Sequence, residues 1–334
     1  MAELALSVLD QSVWLDGSTQ DAAIRDTLAL AQHVEQLGYA RFWVSEHHGL
    51  PTIVGTAPEV LMAAIAARTT RIRIGSAGVM LPHYSAFKVA EQFRVLEALA
   101  GGRIDLGLGR APGSDARTAR ALNPLAHASA DDFPQQVVDL QAWTALPQYQ
   151  GLRAHPQGPH APQIWILGSS GYGAQLAAHL GLPYAYAYFF VDGEGAAQAL
   201  ELYRRLYQPS ARHRAPQATV CVWALAAPGQ EEAEHHALSR ERWRVDRARG
   251  VLGALQSPDA VAQRGFTEAE WPTVHAMRAK AFVGTPERVG AQLRALALEL
   301  DLTEIVINTW AHDPLVRRQS YALLAREFGL SPCT

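Results

Sequence analysis

Cysteine is scarce: the 334 residues contain two, Cys221 and Cys333, too few for the disulfide framework that staples small secreted domains. No uninterrupted apolar run approaches the roughly 18 residues that a membrane-spanning helix needs. The opening segment, "MAELALSVLDQS", has neither the basic n-region nor the small-residue cleavage site of a secretory signal. These absences lead us to expect a cytoplasmic protein. Positive charge is not in excess either. The formal net charge is −3, which gives no electrostatic reason to expect nucleic acid or an anionic membrane as a partner. Charged residues make up 18% of the chain against 49% hydrophobic ones, a balance that excludes disorder and allows a sizeable core. A small molecule is the expected partner.

Two motifs are missing as well. A dinucleotide-binding fold places G-x-G-x-x-G directly after its first strand, whereas the turn after the strand expected at 4–9 reads "LDQSVWLDG". The glycine-rich stretch "GLGRAPG" (107–113) has the wrong spacing and leads into a loop. The H-E-x-x-H spacing of a zinc site is absent, and the neighbours His47 and His48 point opposite ways on an extended chain, so no metal is expected.

The pattern that is present is an alternation of short apolar runs with longer segments of helical period. Strands are expected at 4–9, 41–44, 71–81, 103–109, 164–167, in "YAYAYF", in "ATVCVWAL" and at 304–308. Helix starts are read at Ser18 with Asp21 three residues on, at Thr56-Ala57-Pro58-Glu59, near Ser85 and at Thr285-Pro286-Glu287. Eight strands with helices between them describe a (β/α)₈ TIM barrel, one domain over 1–334 with insertions after strands 4 and 7 at about 111–132 and 228–283. The first insertion reads as an irregular polar loop and the second as helix-prone.

Catalytic residues of such a barrel sit at the C-terminal ends of its strands. There the chain places Asp10-Gln11-Ser12, Glu46-His47-His48, Ala77-Gly78, Gly109-Arg110 and Gly168-Ser169-Ser170-Gly171. One histidine beside a loop-lined pocket is a candidate acid or base. The turn "GSSGYG" before a helix offers backbone N–H groups and a helix dipole to a phosphate, to which Arg110 can add a charge-assisted bond.

The segments "WVSEHH", "GSAGVMLPHYSAFKVAEQFRVLEALAGGRIDLGLGRAPG", "ILGSSGYGAQLAAHLGLP" and "FVGTPERV" resemble, in order, those of the bacterial luciferase-like flavin monooxygenases, in particular the non-luminous subgroup. The resemblance runs from Leu4 to about Asn308. It implies a (β/α)₈ barrel that binds reduced FMN, with the phosphate held by Arg110, Gly168, Ser169, Ser170 and Gly173. It implies a cis peptide at Ala77-Gly78 under the flavin ring. His47 matches a histidine that assists proton transfer, with Glu46 or His48 orienting it. Gly109 stands where luciferases carry a cysteine. The resemblance further implies oxygenation of a small organic substrate by O2, delivery of reduced flavin by a separate reductase, and a homodimer formed through helices two and three. Three other readings stay open: a deazaflavin (F420)-dependent dehydrogenase on a related barrel, a non-catalytic flavin-binding protein, and a barrel hydrolase using Glu46.

Overall fold

The computed structural model describes residues 4–111 and 113–331; Cys333 lies outside them. Among the described residues the strands are β1 (Ala5–Asp10), β2 (Arg41–Val44), β3 (Arg73–Met80), β4 (Ile104–Gly109), β5 (Gln163–Gly168), β6 (Tyr184–Tyr186), β7 (Ala218–Ala226), β8 (Phe282–Gly284) and β9 (Glu304–Asn308). Neighbours from β1 to β7 pair in parallel and in chain order, and β9 pairs with both β7 and β1. That closes eight parallel strands into the expected (β/α)₈ barrel. The ninth, β8, was not anticipated; it pairs with Ala224–Ala226 at the end of β7, outside the ring. Three residues are too short to show a period.

The apolar runs reflect burial on both faces of the sheet. Val8 sits opposite Phe42, Phe42 opposite Ile74, and Ile74 opposite Ile104, all fully buried beneath the helices. Helix α1 (Gln20–Gln36) starts one residue later than expected. Its cap is Thr19, whose hydroxyl accepts from the Ala22 N–H, while the Ser18 hydroxyl donates to the Leu15 carbonyl. Helix α2 (Pro58–Ala66) begins at Ala57 with no side-chain cap, so Thr56 does not cap it. Helix α3 (Ala86–Leu99) has the expected cap, Ser85.

The insertion after β4 departs from its reading as an irregular loop. It holds α4 (Ala116–Leu122) and α5 (Ala126–Asp131), followed by α6 (Phe133–Ala145). After β5 and β6 come α7 (Gly171–His179) and α8 (Ala196–Leu206). The helix-prone insertion after β7 folds as α9 (Gln230–Ala248), α10 (Pro258–Arg264) and α11 (Trp271–Ala279). The ring is completed by α12 (Pro286–Glu299) and α13 (Pro314–Glu327).

Inside the barrel, side chains change character along the axis. Near the N-terminal ends of the strands, Asp105 accepts from Arg41 (2.8 Å), Arg73 (2.5 Å) and the Trp43 indole (3.0 Å). Arg41 also donates to Glu304 at 2.9 Å, and Glu304 accepts from Ser7. Two guanidiniums thus meet two carboxylates. Burial works against the Arg41 charge, but Asp105 and Glu304 outweigh it and hold its pKa above the ordinary value. Next along the axis, Trp43 and Trp165 meet edge to face, 5.2 Å between centroids. Gly75 makes room for them, since a Cβ there would lie 2.5 Å from the Trp43 ring.

Removing one partner of such a buried cluster strands charge that cannot reach water. Asp105→Asn is therefore expected to cost about 3–5 kcal/mol of unfolding free energy in urea titrations; a loss below about 1 kcal/mol would show that the cluster does not hold the barrel closed.

Candidate active site

At the C-terminal ends of the strands the barrel opens into a cavity of about 320 Å³. The expected cofactor residues Ala77, Gly78, Arg110, Gly168, Ser169, Ser170 and Gly173 all line it, as do His47 and Gly109. Ala77-Gly78 is a cis peptide bond, and a Cβ on Gly78 would lie 2.7 Å from the Gly107 carbonyl oxygen. Ser170 is the N-cap of α7 and makes no side-chain cap bond, so the first N–H groups of that helix are left to an outside acceptor. The Arg110 guanidinium lies 4.0 Å over the ring of Tyr172, which stations a cation at the same helix end. Tyr184 donates to the Ser170 carbonyl at 3.2 Å, and the Tyr186 hydroxyl, which donates to the Glu194 carbonyl, lies 3.2 Å from that of Ser169. The turn is therefore braced from below. These features suit a phosphate at α7.

Residues 6–301 match the family model for luciferase-like monooxygenases. The chain belongs to that family. The N-acetyl-S-alkylcysteine monooxygenase of Bacillus subtilis (strain 168) is 37% identical over 347 aligned positions, covering 96% of this chain and 97% of that protein. The crystal structure of apo-MsnO8 superposes with a TM-score of 0.90 at 33% identity, over 99% of this chain and 100% of that one. The oxygenating constituent of 3,6-diketocamphane monooxygenase from the CAM plasmid of Pseudomonas putida, in complex with FMN, shares the fold: TM-score 0.72, 17% identity, 99% of each chain.

The chain's luciferase-like barrel treats the three residues of the β2 turn differently. Glu46 is fully buried. Its carboxylate accepts from the Tyr84 hydroxyl (2.6 Å), from the Met80 N–H (3.0 Å) and, at 2.7 Å, faces the His48 ring. Neither Glu46 nor His48, both expected in the catalytic group, lines the two cavities that His47 reaches. Burial, then the bond to Glu46, pushes the Tyr84 pKa up, which keeps that hydroxyl protonated and donating. His47 alone of the turn reaches the cavity. Its Nδ1 lies 3.2 Å from the Ser45 hydroxyl. Burial, then the Arg247 charge, pulls its pKa down to about 4 against the opposing pull of Glu46. At neutral pH it is an uncharged imidazole, able to accept a proton.

Of the strand-one trio, only Gln11 reaches the site. Asp10 accepts from Arg317 (2.7 Å) and Thr27, and Ser12 bonds Thr27 at 2.8 Å, so both are structural. The Gln11 carbonyl oxygen is taken by Asn308 and Trp310, leaving its NH2 for the cavity.

Gln11, His47, Phe189 and Phe190 also line an adjoining cavity of about 370 Å³, walled on its far side by α9 and Trp310. Sequence reasoning missed this second chamber. Its one local signal was the aromatic run Tyr188-Phe189-Phe190 at the end of β6.

Because His47 is held neutral in the fold while an unfolded histidine titrates near 6.5, the unfolded chain binds more protons between those values. Folding stability must then fall as pH drops from about 6.5 toward about 4. His47→Gln should flatten that part of a plot of stability against pH, measured by urea unfolding; identical slopes in wild type and variant would show that the fold does not depress His47.

Proposed function

We propose that the protein is an FMN-dependent monooxygenase that oxygenates a small organic substrate with O2, and that a separate reductase supplies its reduced flavin. The reading is carried by the convergence on one cavity of Ala77-Gly78, Arg110 and the α7 turn, which come from three different strand ends. It is supported by family membership and by the FMN in the diketocamphane enzyme of the same fold. Reduced FMN, when bound, supplies the two electrons with which one oxygen atom of O2 goes to the substrate and the other to water.

The chain's own residues bind, orient and move protons. Arg110, Ser169, Ser170 and the first N–H groups of α7 would hold the phosphate, with Gly168 and Gly173 packed closely over Tyr184 at the base of the turn. Gly78 lets β3 approach Gly107, and Gly109 lets β4 approach Met80, at the mouth where the ring would lie. His47, neutral and between the two cavities, accepts and returns a proton during oxygenation. Glu46 and His48 act as positioning residues: the carboxylate ties β2 to the end of β3 and fixes the turn from which His47 projects. Phe189 and Phe190 exclude water where the cavities meet.

A homodimer through α2 and α3 forms part of the same proposal. Val60 on α2 and Val95 and Leu99 on α3 are exposed, an apolar patch on neighbouring helices.

Titration with photoreduced FMN under anaerobic conditions, with reduced F420 in parallel, should show binding of FMN. Arg110→Gln should weaken it about tenfold to a hundredfold, the worth of one charge-assisted bond. His47→Gln should bind flavin normally but lose about 10²–10⁴ in substrate-dependent oxygenation. Binding of F420 alone would replace the reading with hydride transfer, and unaltered oxygenation by His47→Gln would remove His47 from the mechanism. In sedimentation, the wild type should run as a dimer and Val95→Arg with Leu99→Arg as a monomer; a monomeric wild type would end the dimer proposal.

A further inference from the structure

Helix α9 ends with "RERWRVDRA" over 240–248, which places Arg240, Trp243, Arg244 and Arg247 on one face at i, i+3, i+4 and i+7. That face walls the second cavity. Other arginines of the insertion have acidic partners: Arg242 pairs with Asp246 and Glu270 (2.8 and 2.9 Å), Arg249 with Glu270 (2.6 Å) and Arg278 with Glu241 (2.7 Å). On the cavity face, Arg244 holds both oxygens of Asp192 at 2.7 Å.

Arg240 and Arg247 differ. Among the described residues neither has a carboxylate within ion-pair distance. Arg240 lies 4.3 Å over the Trp223 ring and donates to the Phe189 carbonyl at 3.4 Å. Arg247 lies 5.3 Å from the Trp243 ring and 5.5 Å from that of Phe190. Burial, then the charge of Arg244, lowers both guanidinium pKa values, for Arg240 against the weaker opposing pull of Asp192 and Glu241. The face presents three positive charges against the single carboxylate of Asp192, while Phe190, Trp243 and Trp310 give the cavity an apolar wall beside the polar Gln11, His47 and Asn308.

We propose that the substrate is a carboxylate on an apolar body, its anion gripped by Arg247 and Arg240 and its body packed against Phe190 and Trp310 in reach of His47. This substrate class rests on the flavin monooxygenase reading of the neighbouring cavity. A carboxylate matches the planar fork of a guanidinium, and it restores the charge balance that the fold leaves open at these two positions and closes elsewhere on the same helix.

The test is calorimetric titration of the full chain, with and without FMN, using 4-phenylbutyrate and its uncharged amide as probes. The acid should bind about tenfold or more tightly than the amide. Arg247→Gln and Arg240→Gln should each lower acid affinity and shrink the preference, Arg247→Lys should keep part of it, and FMN affinity should not change. Equal affinity for acid and amide, no binding of the acid, or a preference intact in both glutamine variants would overturn the proposal. So would competition of the acid with FMN together with weaker FMN binding by Arg247→Gln, since the guanidiniums would then serve the flavin phosphate. If wild type prefers the acid but binds no FMN, the anion grip stands and the flavin reading falls.

Discussion

A closed ring of parallel strands must fill its own interior, and this one does so unequally along its axis. Asp105 makes the difference. With Arg41, Arg73 and the Trp43 indole all directed at its carboxylate, one end of the barrel is plugged by charges that neutralise one another. The same aspartate fixes the Trp43 ring against Trp165 and so sets the floor of the cavity above. Beyond the indoles the inward positions shrink to Ala77, Gly107 and Gly109. The cavity is thus created by what the strands lack at one end, while the other end is filled.

The turn after β2 applies the same logic on a smaller scale. A fully buried carboxylate is costly unless its oxygens are occupied, and Glu46 is satisfied by Tyr84, the Met80 N–H and His48. Met80 ends β3 and Tyr84 follows it, so the carboxylate locks the ends of two strands together. The side chain between Glu46 and His48 in sequence must face the other way, and that places His47 in the cavity.

Much of this was legible in the sequence. Apolar runs bounded by glycine gave the barrel strands, because burial on both faces demands continuous hydrophobicity. Residues at strand ends gave Arg110, His47 and the Ser169-Ser170 turn, because the fold gathers those ends at one mouth. The Arg41–Asp105–Glu304 plug was not legible: its members are 64 and 263 residues apart, and pairing at such separation leaves no local pattern. The short helices α4 and α5 were missed because segments of seven and six residues show less than two full periods. The role of α9 was hidden for another reason. Its arginines are spaced as on any solvated helix, and only the positions of Asp192, Glu270 and Asp246 distinguish the paired ones from Arg240 and Arg247.

Arg247 also connects the two chambers electrostatically. After burial, its charge is the largest influence lowering the His47 pKa. On the proposed grip, a carboxylate bound to Arg247 cancels much of that field. The imidazole would then become more basic when substrate arrives, and less basic when it leaves. Proton transfer at His47 would be tied to occupancy of the second cavity through charge alone, with no moving part. Coupling of this kind is reciprocal: a proton on His47 tightens the hold on the anion by as much as the anion raises the basicity of His47. On the proposed flavin chemistry, the group that takes the proton would be strongest only when there is a substrate to oxygenate.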